Sequence, residues 1–251
     1  PGYTEEIRSM GVDIVESIEE LLSRVDAVLL ETNDGRPHLE QLRPVLQAGK
    51  PVFVDKPMAA SLRDVLTMFR EAKSASVPIF SSSALRFGKA TQQVRDGEHG
   101  VVHSAETYSP ASIETTHPDL FWYGIHGVES LFTVLGTGCE SVRRSEKDGK
   151  IVVEGSWSDG RSGVFREGKG YGGKAECDEG QIAVGAYDGY QPLLIEIVQF
   201  FKTGKPPVSA EETIEIYAFM EAADESKRNG GAAVLLDDVL KKARAEFSAT
   251  D

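Results

Sequence analysis

The chain of 251 residues carries 40 acidic against 27 basic side chains, a formal charge of -13. That balance excludes a general nucleic-acid binder, which needs clustered Lys and Arg for phosphate contacts. Membrane insertion is not expected either, because no apolar run approaches the roughly 20 residues needed to span a bilayer. Cys139 and Cys177 stand far apart without a Cys-x-x-Cys partner, so neither a disulfide framework nor a zinc site is expected, and no metal is assigned. The length suits two modest domains.

The chain opens Pro1-Gly2-Tyr3-Thr4, without a methionine or a signal-peptide pattern, and is expected to be a fragment whose front is missing. Val12 to Val15 reads as a short strand, followed by a helix capped by Ser17 with Glu20 three residues on, a capping box. Val25 to Thr32 reads as a buried strand and Pro37 to Ala48 as a helix with Pro in its first turn and Gly49 past its end. A second strand runs from Pro51 to Asp55. Ser61 then caps a helix of about 14 residues with Leu62, Val65, Leu66, Phe69 and Ala72 on one face, and Val77 to Ser81 is a third strand. Strand, helix, strand, helix, strand at these spacings implies right-handed crossovers and a parallel sheet, the later part of a doubly wound domain.

The texture changes after Phe87. A helix at about 88 to 96 and an extended run from Val101 to Tyr108 lead to an apolar helix beginning near His117-Pro118. From Cys139 to Tyr187 the pattern alternates, with turn signals at Asp148-Gly149 and Asp159-Gly160, which predicts antiparallel strands joined by hairpins. Helices at about 190 to 203 and 210 to 229, then Val234-Leu235-Leu236 and a final helix, complete the chain. The expected fold is α/β: a partial doubly wound parallel sheet over residues 1–86 and an α/β domain with a large, mainly antiparallel open sheet over residues 87–251, its last helices returning to the first domain.

Two segments carry chemistry. In Pro51-Val52-Phe53-Val54-Asp55-Lys56-Pro57 an apolar strand ends in an acid, a base and a proline, delivering polar side chains to the carboxyl edge of the sheet. A lysine ammonium there can hold a proton or deliver one to a developing oxyanion. The second segment holds Trp122, Tyr123, Gly124, His126 and Glu129. On a helix, residues 122, 126 and 129 share a face, so His126 is expected between an indole and a carboxylate that sets its tautomer.

Gly49-Lys50-Pro51-Val52-Phe53-Val54-Asp55-Lys56-Pro57 resembles the GKxVxxEKP segment of the Gfo/Idh/MocA oxidoreductases. Thr32-Asn33 followed by His38 is similar to that family's strand, turn and histidine, Ser81 to Phe87 to its interdomain crossover, and residues 122–129 to its D-x-G-x-H-x-x-D motif. The resemblance runs from about residue 12 to 245. It implies a Rossmann domain joined to an α/β domain whose sheet often mediates oligomerisation, and hydride transfer between NAD or NADP and a hydroxyl-bearing carbon of a sugar, cyclitol or similar polyol. It assigns Lys56 and His126 to catalysis, with Lys56 polarising the reacting oxygen and His126 relaying its proton. Thr32, Asn33, His38, Asp55, Lys56 and Pro57 are expected near the cofactor, and Arg86, Trp122, Tyr123 and His126 near the substrate. His38 reads equally as a structural residue and Arg86 as an interdomain ion pair. The Lys56-Pro57 bond is expected to be cis in the family's manner. Tyr108 and Tyr187 are further candidates for the pocket wall.

Asp55 and Glu129 replace a glutamate and an aspartate of the family pattern, keeping the charge. Two departures go further. The motif's first aspartate falls on Trp122, which does not titrate. No Gly-x-Gly-x-x-Gly follows a strand, so the phosphate-binding turn is absent from these residues and the polypeptide is expected to bind NAD poorly. Gly168 to Gly173 reads as a loop of the antiparallel region. Competing expectations are a non-catalytic ligand-binding or sensor paralogue, and a redox-assisted lyase or glycosidase that recycles its NAD. The partners expected are a sugar-like small molecule and further copies of the chain, in the cytoplasm.

Overall fold

The computed structural model describes residues 2–245, so the outermost positions of the two predicted domains, 1 and 246–251, lie outside it. Helices α1 (Tyr3–Ser9) and α2 (Ile18–Leu22) precede a three-stranded parallel sheet in the order β1 (Val28–Leu30), β2 (Val52–Val54), β3 (Ile79–Ser81). Its crossovers are α3 (His38–Gln47) and α4 (Leu62–Ala75). β2 and β3 are buried throughout, as strands covered on both faces must be. Ser61 caps α4 by accepting the Asp64 N–H, and Ser17 likewise caps α2.

A 3₁₀ turn at Ala84–Phe87 and helix α5 (Lys89–Arg95) lead into β4 (Val102–Ser109), and α6 (Ile125–Leu135) follows. Strands β5 (Cys139–Lys147), β6 (Lys150–Trp157), β7 (Ser162–Glu167), β8 (Gly172–Cys177) and β9 (Gly180–Val184) come next. The chain then forms α7 (Gln191–Thr203), α8 (Ala210–Arg228), β10 (Val234–Leu235) and α9 (Leu236–Ala245). The second sheet has seven strands in the order β10-β5-β6-β7-β4-β8-β9, antiparallel except where β4 meets β7. Both predicted sheets are therefore present, and α8 and α9 return to pack on α4.

α6 is the central helix: every residue except His126 is buried, which explains a sequence apolar on all sides. Gly127 is needed there, since a Cβ would lie 2.6 Å from the Phe165 ring of β7. The structure corrects three boundaries. Residues 12–15 form no strand; Val12 is 51% exposed, with no sheet neighbour to cover an apolar face. The strand read over 25–32 narrows to Val28–Leu30. The apolar helix starts at Ile125 rather than near residue 117, because residues 118–124 close a separate turn in which Phe121 N–H donates to Pro118 O and Ile125 N–H to Leu120 O.

Candidate active site

The carboxyl ends of β1, β2 and β3 and the start of α6 open onto one cavity of about 410 Å³. Its lining includes Asn33, Asp55, Lys56, Ser82, Ser83, Tyr123, His126, Tyr171, Tyr187 and Tyr190. Residues about 70 positions apart, Lys56 after a parallel strand and His126 in the first turn of a helix, thus share a small volume.

Lys56 leaves β2 beside a cis Lys56-Pro57 bond, and its Nζ sits 5.1 Å above the Tyr123 ring, where the aromatic quadrupole favours a cation. The loop behind it is anchored from both sides. Met58 N–H donates to the Tyr217 hydroxyl of α8, and His38, fully buried, sets its two ring nitrogens 3.0 Å from Met58 O and 2.7 Å from Thr32 O. Gly35 permits this approach, since a Cβ would lie 2.8 Å from Pro57 O. Burial lowers the Lys56 pKa and raises that of Asp55, in each case disfavouring the charged form.

His126 touches Tyr123 and Tyr171 edge-on, with ring centroids 5.8 and 5.6 Å apart. Its Nδ1 lies 2.7 Å from Ser83 Oγ. Burial and the nearby Lys56 charge push its pKa down to about 3, so it is neutral near pH 7. Glu129 does not reach the imidazole. Its Oε2 accepts the Ser83 N–H at 2.8 Å, and its Oε1 accepts Ser82 Oγ–H and, at 2.7 Å, Arg86 Nε–H.

The remaining assignments divide. Asn33, Asp55, Lys56, Tyr123 and His126 line the cavity, and Thr32, His38 and Pro57 are not part of its lining. Thr32 Oγ1 donates to Gln41, and both ring nitrogens of His38 face backbone carbonyls, an arrangement that suits the structural alternative for this residue. Arg86 is 1% exposed and pairs with Glu129 and Glu212, each at 2.7 Å, an arrangement that suits the ion-pair alternative. Trp122 does not line the cavity; its ring packs on His117 with centroids 5.1 Å apart. His117 is itself buried, with Nε2 3.4 Å from Asp34. Tyr187 lines the cavity, whereas Tyr108 lies against Gly168 and Gly172. Sequence reasoning missed Ser82, Ser83, Tyr171 and Tyr190. Tyr171, flanked by glycines, was the one visible signal, an aromatic in a loop with little else to present.

A cavity at the carboxyl edge of a parallel sheet, closed by a second domain's helix and carrying a lysine and an imidazole, is the kind of site found in two-domain α/β enzymes. Residues 4–82 match the model of the Gfo/Idh/MocA oxidoreductase family, NAD-binding Rossmann fold. A curated relative, the 1,5-anhydro-D-fructose reductase of Ensifer adhaerens, is 37% identical over 84 residues, an alignment covering 33% of this chain and only 25% of that protein. Solved structures match the fold at greater length. A probable dehydrogenase from Thermotoga maritima has a TM-score of 0.79 at 22% identity, covering 94% of this chain and 88% of its own. The myo-inositol dehydrogenase of Lactobacillus casei, in complex with NAD(H) and myo-inositol, has a TM-score of 0.76 at 14% identity, covering 92% and 85%.

The residues present fit the nicotinamide end of a dinucleotide: three successive parallel strands deliver Asn33, Asp55, Lys56, Ser82 and Ser83 to one cavity. Among the described residues no cluster of His, Cys, Asp and Glu suits a metal ion, and no helix is long and apolar enough to cross a membrane.

Proposed function

We propose that this protein is an NAD(P)-dependent oxidoreductase acting on a secondary alcohol of a sugar, cyclitol or similar polyol. The observation that carries the reading is the meeting of Lys56 and His126 in one tyrosine-lined cavity at the carboxyl edge of the parallel sheet. The nicotinamide supplies a two-electron hydride acceptor or donor. Lys56 and His126 then act on the substrate oxygen. In the reductive direction the Lys56 ammonium stabilises the developing alkoxide and delivers its proton; in the oxidative direction the amine, whose burial lowers its pKa, takes that proton.

This alters the part expected of His126. With a tryptophan at position 122 and Glu129 bonded to Ser82, Ser83 and Arg86, no carboxylate among the described residues hydrogen-bonds His126, and a second cation beside Lys56 is disfavoured. A neutral imidazole that hydrogen-bonds the reacting oxygen fits better than one that carries its proton. Tyr123, Tyr171, Tyr187 and Tyr190 line the cavity, and aromatic side chains of this kind suit the C–H side of a sugar ring.

The same missing carboxylate motivates a second reading, a ligand-binding paralogue without turnover. NAD(P)H formation by the full-length protein across a panel of cyclitols and pyranoses separates the two. Turnover on any member supports the oxidoreductase, and saturable binding of a polyol without turnover supports the paralogue. The reading extends to a cytoplasmic homo-oligomer built on the seven-stranded sheet, whose Arg143 lies opposite Glu154 and whose Lys174 lies opposite Glu106. Sedimentation equilibrium that returns a monomer at micromolar concentration contradicts the oligomer.

A further inference from the structure

Which ring nitrogen of His126 meets the reacting oxygen is decided on the far side of the ring, by a residue that no motif singles out. This inference rests on the oxidoreductase reading. Ser83 Oγ lies 2.7 Å from His126 Nδ1 and also accepts the Leu85 N–H at 3.3 Å. A hydroxyl has one proton and two lone pairs. With the Leu85 amide on one lone pair, donation to Nδ1 satisfies both partners. Acceptance from an Nδ1–H leaves the serine proton with no acceptor among the described contacts. Ser83 is 1% exposed, where an unmade hydrogen bond is costly.

The serine is itself held. Its backbone N–H donates to Glu129 Oε2 at 2.8 Å, the other oxygen of that carboxylate accepts Arg86 Nε–H at 2.7 Å, and Arg86 Nη1–H donates to Glu212 of α8 at 2.7 Å. Arg95 closes the chain on Glu212 with two bonds of 3.0 and 2.9 Å. This run of alternating charges is buried at Arg86, Glu129 and Glu212, and its end at the cavity is Ser83.

We propose that Ser83 is the positioning residue of this site: its hydroxyl donates to His126 Nδ1 and fixes the Nε2–H tautomer, while the Glu129–Arg86 pair clamps the serine in place. His126 then gives the substrate oxygen a hydrogen bond and carries no proton of the reaction. In the oxidative direction the substrate O–H proton would pass to the Lys56 amine, which becomes the ammonium, and a bound oxidised nicotinamide would supply the acceptor for the hydride of the same carbon, so that the carbonyl forms. Glu129 thus sets the tautomer, as its sequence position suggests, but through a serine.

The test is ¹⁵N NMR of the histidine rings in the 251-residue chain, with the His126 signals assigned by their loss in His126→Asn. The wild type is expected to show a protonated Nε2 and an unprotonated, hydrogen-bonded Nδ1 between about pH 5 and pH 8. Ser83→Ala is expected to give a mixture of tautomers, and Ser83→Thr, which keeps the hydroxyl, to restore one. In the full-length enzyme Ser83→Ala is expected to lower kcat about tenfold with KM within about twofold, with recovery in Ser83→Thr. An Nδ1–H tautomer in the wild type, or an unchanged spectrum in Ser83→Ala, overturns the proposal. The wild-type spectrum decides even where Ser83→Ala fails to fold. An Nε2–H tautomer that Ser83→Ala disperses supports it even if no polyol turns over, and in that case the failure lies with the oxidoreductase reading.

Discussion

His126 shows how much one missing neighbour changes a residue. An imidazole in a catalytic cleft usually titrates near neutrality, yet here burial and Lys56 hold its pKa near 3. The unfolded chain binds a proton to this side chain below about pH 6.5 while the folded protein does not, so stability falls as pH drops through the window between about 6.5 and 3. Each pH unit fully inside it costs up to about 1.4 kcal/mol. Urea unfolding at pH 7 and at pH 4.5 is therefore expected to show the wild type losing about 2 kcal/mol more than His126→Asn. Equal losses in the two proteins mean that the folded imidazole is protonated as readily as the unfolded one. At this scale the sequence was half legible. Lys56, Asp55 and His126 could be read because a strand's end and a short motif carry them. Ser83 and Tyr190 could not, because a serine in a Ser-Ser-Ser run and a tyrosine at a helix entrance look the same whether or not a cavity opens beside them.

At the scale of elements, the decisive event is where α6 begins. Apolar periodicity extends upstream to about residue 117, but hydrogen bonds of the 118–124 turn delay the helix to Ile125, and within that turn Trp122 packs on His117 while Tyr123 lines the cavity. Periodicity reports which residues are buried; it does not report where the first backbone hydrogen bond of a helix closes. The other element-level feature is the buried ion chain joining the 3₁₀ turn, α6, α8 and α5 through Arg86, Glu129, Glu212 and Arg95. Removing its central cation leaves two buried carboxylates facing each other. Arg86→Met is expected to lower unfolding free energy by about 3–5 kcal/mol, measured by chemical denaturation. A loss under about 1 kcal/mol indicates that water reaches the two glutamates and that the chain does not clamp Ser83.

At the scale of the whole molecule, two sheets with separate sequence signatures share one site because α8 braces both sides. Tyr217 holds the loop after Lys56, and Glu212 holds the arginine behind Ser83. The division into a parallel and a mainly antiparallel sheet was legible from patterning, since strand and helix periods differ and turn residues mark the hairpins. Their mutual placement was not, because it depends on contacts between residues more than 100 positions apart, such as Tyr217 with Met58. The central claim is that Lys56 carries the proton of an alcohol–carbonyl interconversion in this cavity. The direct test is kcat of Lys56→Met in the full-length protein, on whichever polyol the panel shows to be turned over best, with cofactor affinity measured alongside. The account predicts a fall of about 10²–10⁴ with cofactor affinity within about threefold. A kcat within about threefold of wild type would contradict it.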